Sequence, residues 1–193
     1  MLTPKVKQLI AKARIVSFDG WENSQPAEII AIYQQADDEG RYLGDEDLEK
    51  IASLPSHSTS GIMVARLLRN NADTIIDEAR AGVLEQFPQI TAPGGALYPP
   101  ERAQACWRDF WHFLRCITYG VAGHNSQFTS DEGLHHMNLL YQELNVPLDA
   151  MILGLKNLKS SSLKHLETSQ ADLDLVSSCF DHLISKMSAF SRY

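Results

Sequence analysis

No stretch of this sequence approaches the roughly 20 consecutive apolar residues that a membrane-spanning helix requires, so a transmembrane segment is not expected. No run of Lys and Arg stands out against a formal net charge of −7, which argues against nucleic acid as a partner. Cysteine is scarce. Three residues, Cys106, Cys116 and Cys179, all fall in helical patterns, and an odd, small number points to free thiols in a reducing compartment rather than a disulfide framework. There is no Gly-rich phosphate loop, no G-x-S-x-G and no H-E-x-x-H, so no enzymatic activity is expected. No segment alternates at period two and no repeat or low-complexity tract is present. An apolar fraction of 44% over 193 residues is enough for one substantial core.

The most informative segment is LYPPERAQACWRDFWHFLRCITYGVAG, residues 97–123. Pro99 and Pro100 block helix on the N-terminal side, and Glu101 falls in the first turn, where the helix dipole favours an acid. Phe110, Phe113, Leu114, Ile117 and Val121 recur at helical spacing, so this helix has a wide apolar face. Cys106 and Asp109 are at i and i+3 and share a face, with Arg108 beside them. A thiol, a carboxylate and a guanidinium on one patch are suited to a ligand held through sulfur, N–H donors and an acidic group. The same residues also suit a small core cysteine beside ordinary surface charge.

In chain order, residues 4–16 are amphipathic, with Val6, Leu9, Ile10 and Ala13 opposite Lys5, Lys7 and Lys12. The segment lacks the apolar core and cleavage site of a secretory signal, so it is expected to be a helix. Trp21 is read as an anchor against another surface, and Pro26 as the start of a second helix. Asp37 to Gly40 is expected to be a polar break, and Asp45 the cap of the next helix. A loop over Pro55-Ser56-His57-Ser58 is expected to lead into one long helix from Thr59 or Ser60 to Phe87, stopped by Pro88. Further helices are expected from Thr129 or Ser130 to Leu144, from Pro147 through Leu158, and up to Ala189.

Seven histidines do not assemble a metal site by spacing. His135 and His136 are adjacent and diverge by about 100° on a helix, and His112 with Cys116 makes only half a site. His112 is also the one candidate for a haem ligand on the organising helix, a role for which a surface or partner-facing position is the better reading.

The helix resembles the pigment-bearing helix of phycobiliproteins. The matching residues are Cys106, Arg108, Asp109, Phe113, Leu114, Arg115, Thr118 and Tyr119. QADDEGRYLGDEDLEKI, ADTIIDEARAGVLEQFPQITAPGG, MNLLYQELNVPLDAMILGLKNLK and VSSCFDHLISKMS extend the resemblance in order across about residues 34–190, most closely to allophycocyanin-type subunits. It implies an all-α, globin-like phycobiliprotein fold over residues 34–193, with a helical extension over 1–33 that includes the partner-contact helices. It implies a bilin, phycocyanobilin or a related one, with Cys106 as thioether ligand, Asp109 accepting from pyrrole N–H groups, Arg108 pairing with a propionate and Tyr119 packing nearby; whether attachment is covalent stays open. The sequence departs from the family pattern in four respects. Trp107 and Trp111 are bulky, His112 and Phe113 replace paired tyrosines, Ala96 replaces a loop asparagine, and the N-terminus is long. These features favour a divergent globin associated with bilin binding or bilin metabolism in a phycobilisome-containing organism such as a cyanobacterium. The alternatives are a pigmented light-harvesting phycobilisome core subunit and a non-chromophoric interaction or sensor module. Expected partners are a second copy, other phycobiliprotein subunits or bilin-biosynthesis enzymes, and the expected location is the cytoplasm, at the thylakoid surface within or near phycobilisomes.

Overall fold

The computed structural model describes residues 2–53 and 59–190. Nine α-helices run α1 Pro4–Lys12, α2 Ala27–Asp38, α3 Asp45–Ala52, α4 Thr59–Asn70, α5 Ala72–Gln86, α6 Pro100–Ala122, α7 Asp131–Leu144, α8 Leu148–Lys164 and α9 Gln170–Ser188 among the described residues. The only extended pairing among them is a single antiparallel bridge between Val16 and Thr129. Among the described residues no helix is long and apolar enough to cross a membrane.

Helix α6 is the axis of the molecule. Pro99 is its N-cap and Pro100 its first residue, where a missing N–H costs nothing. Phe110, Phe113, Leu114, Ile117, Tyr119 and Val121 are all essentially inaccessible to water. Fully burying each of the large side chains is worth about 1.5–3 kcal/mol. Helix α4 lies along α6, α5 packs on α8, and α8 and α9 close the other side. Gly154 of α8 is the point of closest approach to α6, since a Cβ there would sit 2.0 Å from the Phe110 ring. α9 buries Val176, Phe180, Leu183 and Met187 as its periodicity predicts, with Leu173 and Ile184 at the margin.

Several boundaries differ from the sequence reading. The long helix expected from Thr59 to Phe87 is two helices, because the backbone leaves helical geometry at Asn71 (φ −100°, ψ 8°) and the Asn71 side chain bonds back to the Leu67 carbonyl at 2.8 Å. Asn competes for backbone groups in this way and ends helices. The apolar period continues through the break and hides it. The Pro55–Ser58 loop lies outside the described residues. Asp37 does not open a polar break; it lies inside α2 and is buried. Gly44, not Asp45, caps α3, and the Asp47 carboxylate accepts the Gly44 N–H at 2.8 Å. Ser130 caps α7, accepting from the Gly133 N–H at 3.0 Å.

The N-terminal residues enter the same core. Trp21 does not anchor on another surface. It is wholly buried among Phe18, Tyr33 and the backbone of Gly123, with Phe18 and Tyr33 ring centroids each at 5.1 Å. The helix expected over residues 4–16 ends at Lys12, after which Val16 pairs with Thr129.

Candidate functional site

The face of α6 that carries Cys106 and Asp109 turns toward α7. Tyr141 of α7 donates a hydrogen bond from its hydroxyl to Asp109 Oδ2 at 3.0 Å. The other oxygen, Oδ1, has no hydrogen-bond partner among the described residues. Burial, opposed by the Tyr141 hydroxyl and by Arg108, pushes the Asp109 carboxyl up to about 6. Asp109 is half-buried and Oδ1 is not sealed from solvent, so N–H groups of a ligand can replace water there. Cys106 is only 4% exposed. Burial first, and then the Asp109 carboxylate, push its thiol up to about 12, with Arg102 acting in the opposite sense.

Arg102 fixes the two helices against each other. Its Nη2 donates to the carbonyls of Leu144 (2.5 Å) and Asn145 (2.6 Å), which are the open C-terminal end of α7. Asn145 makes that end with a left-handed backbone, φ 50°. Arg108 is exposed and has no ion-pair partner among the described residues, so its guanidinium is available at the surface.

Beside this corner is a cleft of about 680 Å³. Its walls are the turn after α5 (Phe87, Pro88, Ile90, Ala96), the α7 residues Asn138 and Tyr141, the start of α8 from Val146 to Ala150, and Phe190. The volume is within the range of sites that enclose an organic ligand. Tyr141 joins the two features, since it lines the cleft and holds Asp109. Ala96, where the family pattern has an asparagine, is one of the wall residues.

Of the four residues expected at the site, the structure brings Cys106 and Asp109 together and leaves Arg108 exposed beside them, and none of the three is among the residues that line the cleft. The structure places Tyr119 elsewhere. Tyr119 is thirteen residues after Cys106 on one helix, about 20 Å along the axis, and belongs to a second polar cluster. There Arg115 Nη1 donates to Asp37 at 2.9 Å and to the Tyr119 hydroxyl at 2.7 Å, and Tyr119 donates to the Arg41 carbonyl. The sequence reading missed Tyr141 and Arg102. Tyr141 was findable: it continues the buried α7 face of Leu134 and Met137 and carries a hydroxyl there, which must find a partner.

The departures from the family pattern have local partners. Arg80 lies over the Trp107 ring at 5.5 Å, and Trp111 meets Tyr42 edge to face at 4.9 Å. Burial, with Arg115 and Arg108, lowers the pKa of half-buried His112. Among the described residues no group of three or more His, Cys, Asp or Glu is placed to hold a metal ion.

The domain is thus helical and organised on one long central helix, with Cys106 and Asp109 on that helix and only Tyr141 of their surroundings among the residues that line the cleft. The chain matches the phycobilisome protein family over residues 31–187 and belongs to that family. It is 32% identical to the allophycocyanin subunit alpha-B of Synechocystis sp. over 154 residues, covering 80% of this chain and 94% of that protein. It is 33% identical to the allophycocyanin alpha-B chain of Synechococcus sp., covering 79% and 93%. It is 30% identical to the C-phycocyanin beta subunit of Mastigocladus laminosus, covering 68% and 76%.

Proposed function

We propose that this chain is a non-enzymatic, bilin-binding member of the phycobilisome family that holds a linear tetrapyrrole in the cleft between the α5–α6 turn, α7 and α8. One observation carries the reading: half-buried Asp109, one turn from a cysteine, accepts from Tyr141, and Tyr141 lines a cleft of about 680 Å³. The residues fit the group. Asp109 Oδ1 accepts pyrrole N–H donors, which relieves the cost of a carboxylate in an apolar corner. Arg108 at the surface pairs with a propionate. Phe87, Ile90, Val146 and Leu148 supply the apolar walls. Cys106 is the covalent anchor: its S–H adds across the exocyclic carbon–carbon double bond of the first ring, sulfur to one carbon and the proton to the other, with no oxidant required. The bilin itself supplies red absorption and, in an array, excitation transfer.

The buried, high-pKa thiol favours a second reading, in which the bilin is held reversibly as in a carrier or accessory globin of bilin metabolism. Co-production with a phycocyanobilin-synthesising system separates these. Wild type should show a red absorption band, and Asp109→Asn should weaken and blue-shift it. A band insensitive to Asp109→Asn would refute the proposed role of the carboxylate. No band at all would leave a non-chromophoric interaction module.

A further inference from the structure

The family match begins at residue 31, yet the residues before it are built into the molecule. Helix α1 lies on α7, burying Val6 and Leu9, and Lys5 pairs with Glu143 at 2.5 Å. Ser17 N–H donates to the Phe128 carbonyl at 3.0 Å and Ser130 N–H to the Ile15 carbonyl at 2.8 Å. Arg14 donates to the buried Asp37 at 2.5 Å and pairs with Asp38 at 2.7 Å. Gln25 donates to the Gly123 carbonyl at 3.2 Å.

Two glycines inside the family domain are shaped to this segment. A Cβ on Gly133 would lie 1.6 Å from the Arg14 carbonyl oxygen, and a Cβ on Gly123 would lie 2.2 Å from the Trp21 ring. Any side chain at either position would displace the segment.

The segment covers Tyr33, Asp37, Gly123, Phe128 and Gly133. Aromatic rings beside a buried Asp37–Arg115 ion pair have the composition of an interface core, enriched in aromatics and arginine, and such a face does not stand bare in water. The relatives are named as subunits or as α and β chains, and the match to the allophycocyanin subunit alpha-B leaves about a fifth of this chain uncovered. A family domain without residues 1–30 has to cover this face in another way, and a second chain is the direct solution.

We propose that residues 2–25 form a strap that closes, within the chain, a surface on which a second phycobilisome-family chain would otherwise pack. The strap makes this member self-contained, and its release is the switch to subunit pairing. The bilin proposal is independent of it.

The test uses full-length protein throughout. Mass by light scattering is measured for each chain alone and mixed with purified C-phycocyanin β subunit, alongside limited trypsin cleavage at Lys12. Wild type should have the mass of one chain, stay unpaired in the mixture and resist cleavage. Arg14→Glu with Trp21→Ala, and separately Gly133→Val, should keep helical circular dichroism, be cut at Lys12 at least tenfold faster, and gain the mass of a second chain, either a copy of itself or the β subunit. A disulfide between Val16→Cys and Thr129→Cys, added to either release variant, should restore the single-chain mass. Fast cleavage with the single-chain mass retained in both settings would overturn the proposal. So would a wild type that pairs while its strap stays protected. If the release variants lose their helical signal, this wild-type comparison decides alone.

Discussion

Replacing Asp109 with Asn should stabilise the ligand-free protein near neutral pH. In the folded chain the carboxyl is raised to about 6 from an ordinary 3.8. The folded state therefore binds this proton more tightly than the unfolded state does. The stability gained is fully present below about pH 3.8 and is lost as pH rises through about 6. At 1.36 kcal/mol per tenfold change in proton affinity, the loss at pH 7 approaches about 3 kcal/mol. Asn cannot ionise, has nearly the same shape, and can still accept the Tyr141 hydroxyl through its Oδ1. Urea unfolding of wild type and Asp109→Asn from pH 4 to pH 8, without bilin, isolates the effect, because the other titrating groups are shared. The two stabilities should coincide near pH 4 and diverge by about 1–3 kcal/mol by pH 7, with the variant higher. Parallel curves, or a variant less stable at pH 7, would refute the argument that burial disfavours the Asp109 charge in the ligand-free fold.

Tyr141→Phe should raise the Asp109 carboxyl further, by removing its hydrogen-bond donor, and a titration followed by carbon-13 NMR of the Asp109 carboxyl would read the change. Arg115→Ala should cost about 3 kcal/mol or more in urea unfolding, because it leaves buried Asp37 with only the partly exposed Arg14, whereas Arg14→Ala should cost about 1 kcal/mol. Gly154→Ala should cost about 1–3 kcal/mol and lower the melting temperature, since the new methyl meets the Phe110 ring with no room to yield.

Much of the fold was legible because its signals are local. The period of Phe110, Phe113, Leu114, Ile117 and Val121 announced α6, and Pro88, Pro99 and Pro147 marked the ends of their neighbours. Two local features differ from the sequence reading, each for its own reason. The apolar stripe runs unbroken past Asn71, so periodicity joined α4 to α5, and Asp37 reads as a surface acid until Arg14 and Arg115 arrive from distant parts of the chain. The site divides along the same line. Cys106 and Asp109 are a helical i, i+3 pair, so their alliance was visible in the sequence. Tyr141 and Arg102 matter through contacts across α6 and α7, which spacing cannot report. Tyr119 was assigned by motif, and only the length of α6 shows that it serves Arg115 and Asp37 at the other end. Trp21 looked like a partner anchor because an aromatic in a polar stretch is ambiguous until Gly123 provides its seat.

The most direct measurement is the intact mass and zinc-enhanced fluorescence, under denaturing conditions, of protein produced together with phycocyanobilin, beside Cys106→Ala. Wild type should carry one bilin that survives denaturation, and Cys106→Ala should carry none after unfolding while keeping colour when native. A wild type of unmodified mass with no visible band in the native state, under conditions where a C-phycocyanin subunit in the same cells is pigmented, would contradict the account.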